Sequence, residues 1–98
     1  MTFGQLVAAE RKKRGMSQKD LAARVLKEDG TPISAQYLND IERNRRNAPS
    51  EHLIEQFARE LGLDSDYLLY KAGQIPRDVR ERNLPQERVK EVMVAFRR

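Results

Sequence analysis

Apolar residues recur along this chain at intervals of three and four, and most glycines and every proline stand where that spacing breaks. Phe3, Leu6 and Val7 fall at i, i+3 and i+4 and predict a first helix over 2–14. Thr2 and Gln5 have the spacing of a capping box, in which each side chain satisfies an orphan amide of the other's residue. Gly4 costs that first turn some stability, and Gly15 closes the helix. Ser17 with Asp20 repeats the capping signature and opens a second helix. That helix buries Leu21, Ala22 and Val25, with Leu26 a further candidate. Residues 27–32, KEDGTP, predict a turn or short loop, because Asp-Gly and Pro both oppose helix continuation.

Ser34 caps a third helix to about Asn44, with Leu38 and Ile41 inward and Tyr37 at the edge of that face. After Asn47-Ala48-Pro49, Ser50 caps a fourth helix bearing the most regular stripe: Leu53, Ile54, Phe57, Ala58 and Leu61. Gly62 ends it. Asp64 opens a short fifth helix with Tyr67, Leu68 and Leu69, which stops at Gly73. A polar, arginine-rich connection follows, with only Val79 and Leu84 apolar after Ile75-Pro76. Pro85 suits the first position of a last helix, whose Val89, Val92, Met93 and Phe96 share one face. No segment alternates as a strand does, so the expected class is all-α. There is no repeat of fixed period.

Composition narrows the chemistry. The 98 residues suit one domain, 39% apolar and 35% charged, with no apolar run long enough to span a membrane. The basic cluster at 11–14 follows the first apolar residues, the reverse of a secretory signal. Cysteine is absent and His52 is the single histidine, so neither a thiolate site nor a histidine cage is available. No carboxylate pair, triad or phosphate-cradling glycine loop stands out. These features point away from an enzyme, and no cofactor or metal is implied. His52 itself reads as a surface residue on the first turn of the fourth helix.

Charge placement says more than the net value of +4. Residues 1–30 carry 7 Lys/Arg against 4 Asp/Glu, 31–48 carry 3 against 2, 49–73 carry 2 against 5, and 74–98 carry 7 against 4. Basic ends flank an acidic band, a distribution that suits either a face presented to a polyanion or an ordinary solvated surface. The third helix concentrates the question. Opposite its apolar side lie Gln36, Asn39, Asp40 and Arg43, flat groups suited to base edges in a major groove. The next residues hold Arg43, Arg45 and Arg46 with Asn44 and Asn47 and no acid, a composition suited to phosphate. Pattern alone leaves a solvent-facing helix equally open.

The ordered series resolves that balance. Arg11, Gly15, SQKDLA at 17–22, ISAQYLNDIERNRRNAPS at 33–50 and LIEQFARELGLDSDYLL at 53–69 together resemble the phage-repressor/Cro type of helix-turn-helix domain. This is the XRE family with the lambda-repressor-like fold. The resemblance covers about residues 3–70 and implies a five-helix bundle, here with a C-terminal helical extension. It implies a DNA-binding domain at 1–73; residues 74–98 lie beyond the resemblance and are expected to form an extension that serves dimerisation or a partner. The resemblance implies a cytoplasmic transcription regulator, such as a repressor, with helix 34–44 in the major groove of double-stranded DNA.

Site residues follow from the same resemblance. Gln18, with Lys19 beside it, matches the glutamine that holds a phosphate and braces the recognition helix. Ser34, Ala35, Gln36 and Asn39, with Tyr37 among them, match the groove-entering segment, and Asp40 matches a position that often reads bases. Arg43, Arg45, Arg46 and Asn47 match the backbone-contacting loop. Glu42 matches a glutamate that pairs with the arginine at the position of Arg11, so these two are scaffold, and Arg11-Lys12-Lys13-Arg14 is otherwise a solvated helix end.

Two departures stand out. Leu21 and Ser34 are 13 positions apart, which lengthens the usual helix-turn-helix connection by about six residues. This insertion either lies away from DNA or touches a neighbouring phosphate, and its Glu28-Asp29 pair favours the former. Asp40 is the other departure. It is either a specificity residue or the intrahelical partner of Arg43 at i+3. The tyrosines Tyr37, Tyr67 and Tyr70 read as edges of the core.

The last helix cannot bury its stripe alone. Pairing of Val89, Val92, Met93 and Phe96 in a homodimer is expected ahead of packing on the same chain. The rival class is a protein-interaction module, such as an antitoxin whose residues 85–98 dock on a toxin.

Overall fold

The computed structural model describes residues 1–74 and 85–97, the last three of these by their backbone alone. Six helices make up the described residues: α1 Phe3–Lys13, α2 Gln18–Arg24, α3 Ala35–Glu42, α4 Glu51–Leu61, α5 Ser65–Lys71 and α6 Gln86–Arg97. The all-α class holds among the described residues.

Local chemistry accounts for the helix starts. Thr2 and Gln5 form a reciprocal capping box on α1, and Ser17 and Asp20 form another on α2. Ser34, Ser50 and Asp64 each accept an N–H from the third residue of their helix. Capping also lowers a pKa. The backbone N–H of Ser17, and then its hydroxyl, hold the Asp20 carboxyl below its ordinary value.

Glycine and asparagine close the turns. Gly15 has φ +69°, and the Met16 amide reaches back to the Arg11 carbonyl at 3.1 Å. The third helix ends sooner than the sequence pattern suggests. Arg43 is its C-cap, and Asn44 takes a left-handed φ of 59°. The Arg45 amide then bonds the Asp40 carbonyl at 2.9 Å, so the basic loop turns back over the end of α3.

One core unites the first five helices. Val7, Leu21, Val25, Leu38, Ile41, Ile54, Phe57, Leu61 and Leu68 are its most deeply buried members. Phe3 meets Phe57 edge-on, with ring centroids 6.2 Å apart, which ties α1 to α4. Gly4 has a purpose that its helix cost conceals. A methyl group there would press into the Ile41 carbonyl and crowd the Glu42 carbonyl and Asn44 side chain, so only glycine lets α1 approach the end of α3 this closely.

Several expectations need correction. Leu26 is exposed, because α2 stops at Arg24 and the chain becomes extended at Val25. Residues 25–33 form a small hairpin rather than a plain turn. Leu26 bridges Pro32, Ile33 N–H bonds the Val25 carbonyl, and Lys27 N–H bonds that of Thr31. Asp29 locks the tip by accepting from the Thr31 hydroxyl and amide, which lowers its carboxyl pKa. His52 is half-buried and its Nε2 lies 3.0 Å from the Leu26 carbonyl, pinning the hairpin to α4. Tyr67 and Tyr70 are exposed on α5 rather than at the edge of the core. Pro85 precedes α6, where its carbonyl accepts from Val89 N–H, so it caps the helix instead of occupying its first turn. On α6, Val89 and Val94 are exposed and Val92 and Met93 half-buried. The side chain of Phe96, like Val79 and Leu84, lies outside the described residues.

Candidate nucleic-acid interface

Four side chains fix α3 against α1 and α2. Arg11 donates from Nε to Glu42 Oε2 at 2.7 Å and from Nη2 to Oε1 at 2.9 Å, a two-pronged pair with both residues buried. The hydrogen bonds to Glu42 raise the Arg11 pKa further, so the guanidinium stays charged. A third Arg11 nitrogen, Nη1, donates to the Met16 carbonyl at 2.8 Å. Gln18 completes the brace by donating from Nε2 to Glu42 Oε1 at 3.0 Å and to Asn39 Oδ1 at 3.1 Å. Both amide hydrogens are thereby committed. For the Gln18 side chain to hold a phosphate, one of those bonds must open.

The outer side of α3 is preorganised among its own residues. Asn39 Oδ1 receives Gln18 and also Arg43 Nε at 3.2 Å, which leaves the Asn39 amide donors as its free chemistry. Asp40 does not pair with Arg43. Its Oδ1 accepts from Gln36 Nε2 at 3.1 Å and lies 3.9 Å from Arg45 Nη1, while Oδ2 is 3.5 Å from Arg46 Nε. The helix end explains this: Arg43 swings towards Asn39, and the reversal at Asn44 carries Arg45 and Arg46 back over Asp40. Arg46 also stacks its guanidinium 5.2 Å from the ring centre of half-buried Tyr37. Tyr37 thus supports a cation, a role its position in the stripe does not announce.

The remaining candidates are exposed. Lys19, Ser34, Ala35, Gln36, Arg43, Arg45, Arg46 and Asn47 all face solvent, with Ser34 and Ala35 at the leading end of α3. Thr2 joins the far end, its hydroxyl donating to Asn44 Oδ1 at 3.1 Å. That contact links the cap of α1 to the basic loop, and residues 42 apart give no local cue to it. No group of three or more acidic, histidine or cysteine side chains suited to a metal occurs among the described residues. No described helix is long and apolar enough to cross a membrane.

Two short helices braced at this junction, with an amide-rich outer face and a basic loop beyond it, have a counterpart among known families. The helix-turn-helix family model matches residues 7–68. The chain belongs to the helix-turn-helix family. That family comprises DNA-binding regulators and is not an enzyme class. This helix-turn-helix chain is similar to the immunity repressor protein of Bacillus phage phi105, at 34% identity over 88 residues. The match takes in 90% of this chain but 56% of the repressor's length. Among solved structures, a SinR protein/SinI protein complex matches with a TM-score of 0.57 at 27% identity, covering 97% of this chain and 79% of that one.

Proposed function

We propose that the protein is a sequence-specific transcriptional repressor that binds double-stranded DNA as a homodimer at a near-palindromic operator. Helix α3, framed by residues 34–44, enters the major groove, and Arg43, Arg45, Arg46 and Asn47 hold the phosphate backbone. Gln36, Asn39 and Asp40 read base edges, with Ser34, Ala35 and Tyr37 lining the contact. Lys19 and the start of α2 meet a phosphate on the flank. The observation that carries this reading is the Arg11–Glu42–Gln18–Asn39 network, which sets α2 and α3 so that reader face and basic loop project together. The likeness to a phage immunity repressor supports repression.

Residues 1–73 serve as the DNA-binding domain and 74–98 as an extension with its own role. Val89, Val92, Met93 and Phe96 pair across the homodimer, since a self-complementary helix builds two-fold symmetry directly. A second reading has support in the similar structure described as a complex of two proteins: residues 85–98 dock on a different protein. The protein works in the cytoplasm, where its DNA lies.

Selection of bound duplexes from a random pool tests the central reading and reveals half-site spacing in one experiment. Two related half-sites about one helical turn apart are expected, and an unenriched pool would reject the proposal. Sedimentation without DNA separates the two roles of the tail. A dimer at high micromolar concentration is expected, whereas a monomer there would leave the tail to a different partner.

A further inference from the structure

The interface holds one group whose chemistry opposes its surroundings. Asp40 puts a carboxylate on the face assigned to DNA, and its side chain keeps only 18% of its exposure because three neighbours cover it. Gln36 and Arg45 approach Oδ1, and Arg46 approaches Oδ2. Two cations of the basic loop therefore lie on a carboxylate of the protein itself. Both arginine side chains remain 58% exposed, so a competing anion can reach them. The Arg45 amide also bonds the Asp40 carbonyl at 2.9 Å, which keeps the loop backbone beside this carboxylate.

We propose that Asp40 is a specificity gate: it retains Arg45 and Arg46 until a cytosine amine in the major groove takes over its carboxylate. The inference rests on the duplex-binding reading above. A carboxylate near DNA is repelled by phosphate and requires a donor in exchange for the cations it releases. The cytosine edge supplies N4–H donors without an acceptor alongside. Guanine and thymine present acceptors there, and adenine sets its N7 acceptor beside its amine. Opposite a cytosine, Asp40 exchanges partners and both arginines become free for phosphate. Opposite any other base it keeps them, and the protein neutralises fewer phosphates. Sequence at one base pair is thereby coupled to contacts made on the backbone.

The test compares wild type with Asp40→Asn, a replacement of equal shape, on the duplex selected from the random pool and on a scrambled one. Fluorescence anisotropy across a salt series gives affinity and slope. On scrambled DNA, Asp40→Asn should bind more tightly, with a log–log slope steeper by about 0.9 for each arginine released. On the selected site, the preference for cytosine at one position should fall by roughly tenfold. Combining Asp40→Asn with Arg45→Ala and Arg46→Ala should abolish the gain on scrambled DNA, since the arginines are its source. Glu28→Gln, an equal charge change on the hairpin, should leave slope and base preference unaltered. Unchanged slope and preference in Asp40→Asn, the same effect from Glu28→Gln, or a gain that survives loss of both arginines would each overturn the gate. Failure of wild type to bind either duplex would instead reject the duplex-binding reading beneath it.

Discussion

Two carboxylates sit two residues apart on α3, and each gathers hydrogen-bond donors that include arginine. Glu42 faces inward, where Arg11 and Gln18 deliver three hydrogen bonds of 2.7–3.0 Å to a buried group. Asp40 faces outward, where Arg45 and Arg46 approach only to 3.9 and 3.5 Å and stay largely in water. The charges are the same; the surroundings differ. A buried ion nearly shut off from solvent depends mainly on its partners, so Glu42 behaves as a structural joint. A solvated pair gains little net free energy, so Asp40 can change partners at small cost. One short helix thus carries a fixed side and an exchangeable side.

The largest test of that contrast is Glu42→Ala. It leaves the Arg11 guanidinium buried without its carboxylate, and denaturant unfolding should show a loss of about 3 kcal/mol. A loss below 1 kcal/mol would erase the distinction between the two acids. Gly4→Ala attacks the same joint from α1, since the added methyl must displace backbone at the end of α3. Overpacking of this kind should lower stability by about 2 kcal/mol in the same assay.

Ser17→Ala probes the helix that supplies Gln18 to the brace. Removing its cap should cost about 1 kcal/mol of thermal stability. The partner of that cap adds a pH signature. Because the folded Asp20 pKa lies below its unfolded value, its contribution is complete above the ordinary aspartate range and is lost as pH falls through the lowered value. The stability difference between wild type and Asp20→Asn should accordingly be largest at neutral pH and shrink in acid. Smallest of all should be Asp40→Asn, which changes unfolding free energy by less than about 0.5 kcal/mol. A larger loss would place Asp40 with the fixed side.

Local features were legible from the sequence and distant ones were not. The cap pairs Thr2–Gln5 and Ser17–Asp20 act within three residues, so spacing alone reveals them. The apolar stripes of α1 to α5 likewise mark the core, because burial of one helix face follows from periodicity. Leu26 misleads because the cue ends at Arg24, where the chain leaves the helix to form a hairpin held by Asp29 and Thr31. Gly4 looks like a defect until the α3 backbone is placed against it. At the candidate interface, residue types were readable but pairings were not. Asp40 and Arg43 have helical spacing, yet the left-handed turn at Asn44 hands Asp40 to Arg45 and Arg46 instead. Tyr37 as a seat for Arg46 depends on that same reversal.

On the proposed reading, α3 and the loop after it hold duplex DNA through several phosphate contacts. Affinity of the wild-type chain for its selected duplex, followed from about 50 to 200 mM salt, tests this most directly. With three loop arginines and a lysine engaged by each protomer of the dimer, log affinity should fall against log salt with a slope of roughly −7. A slope near zero, or no measurable binding at the lowest salt, would contradict it.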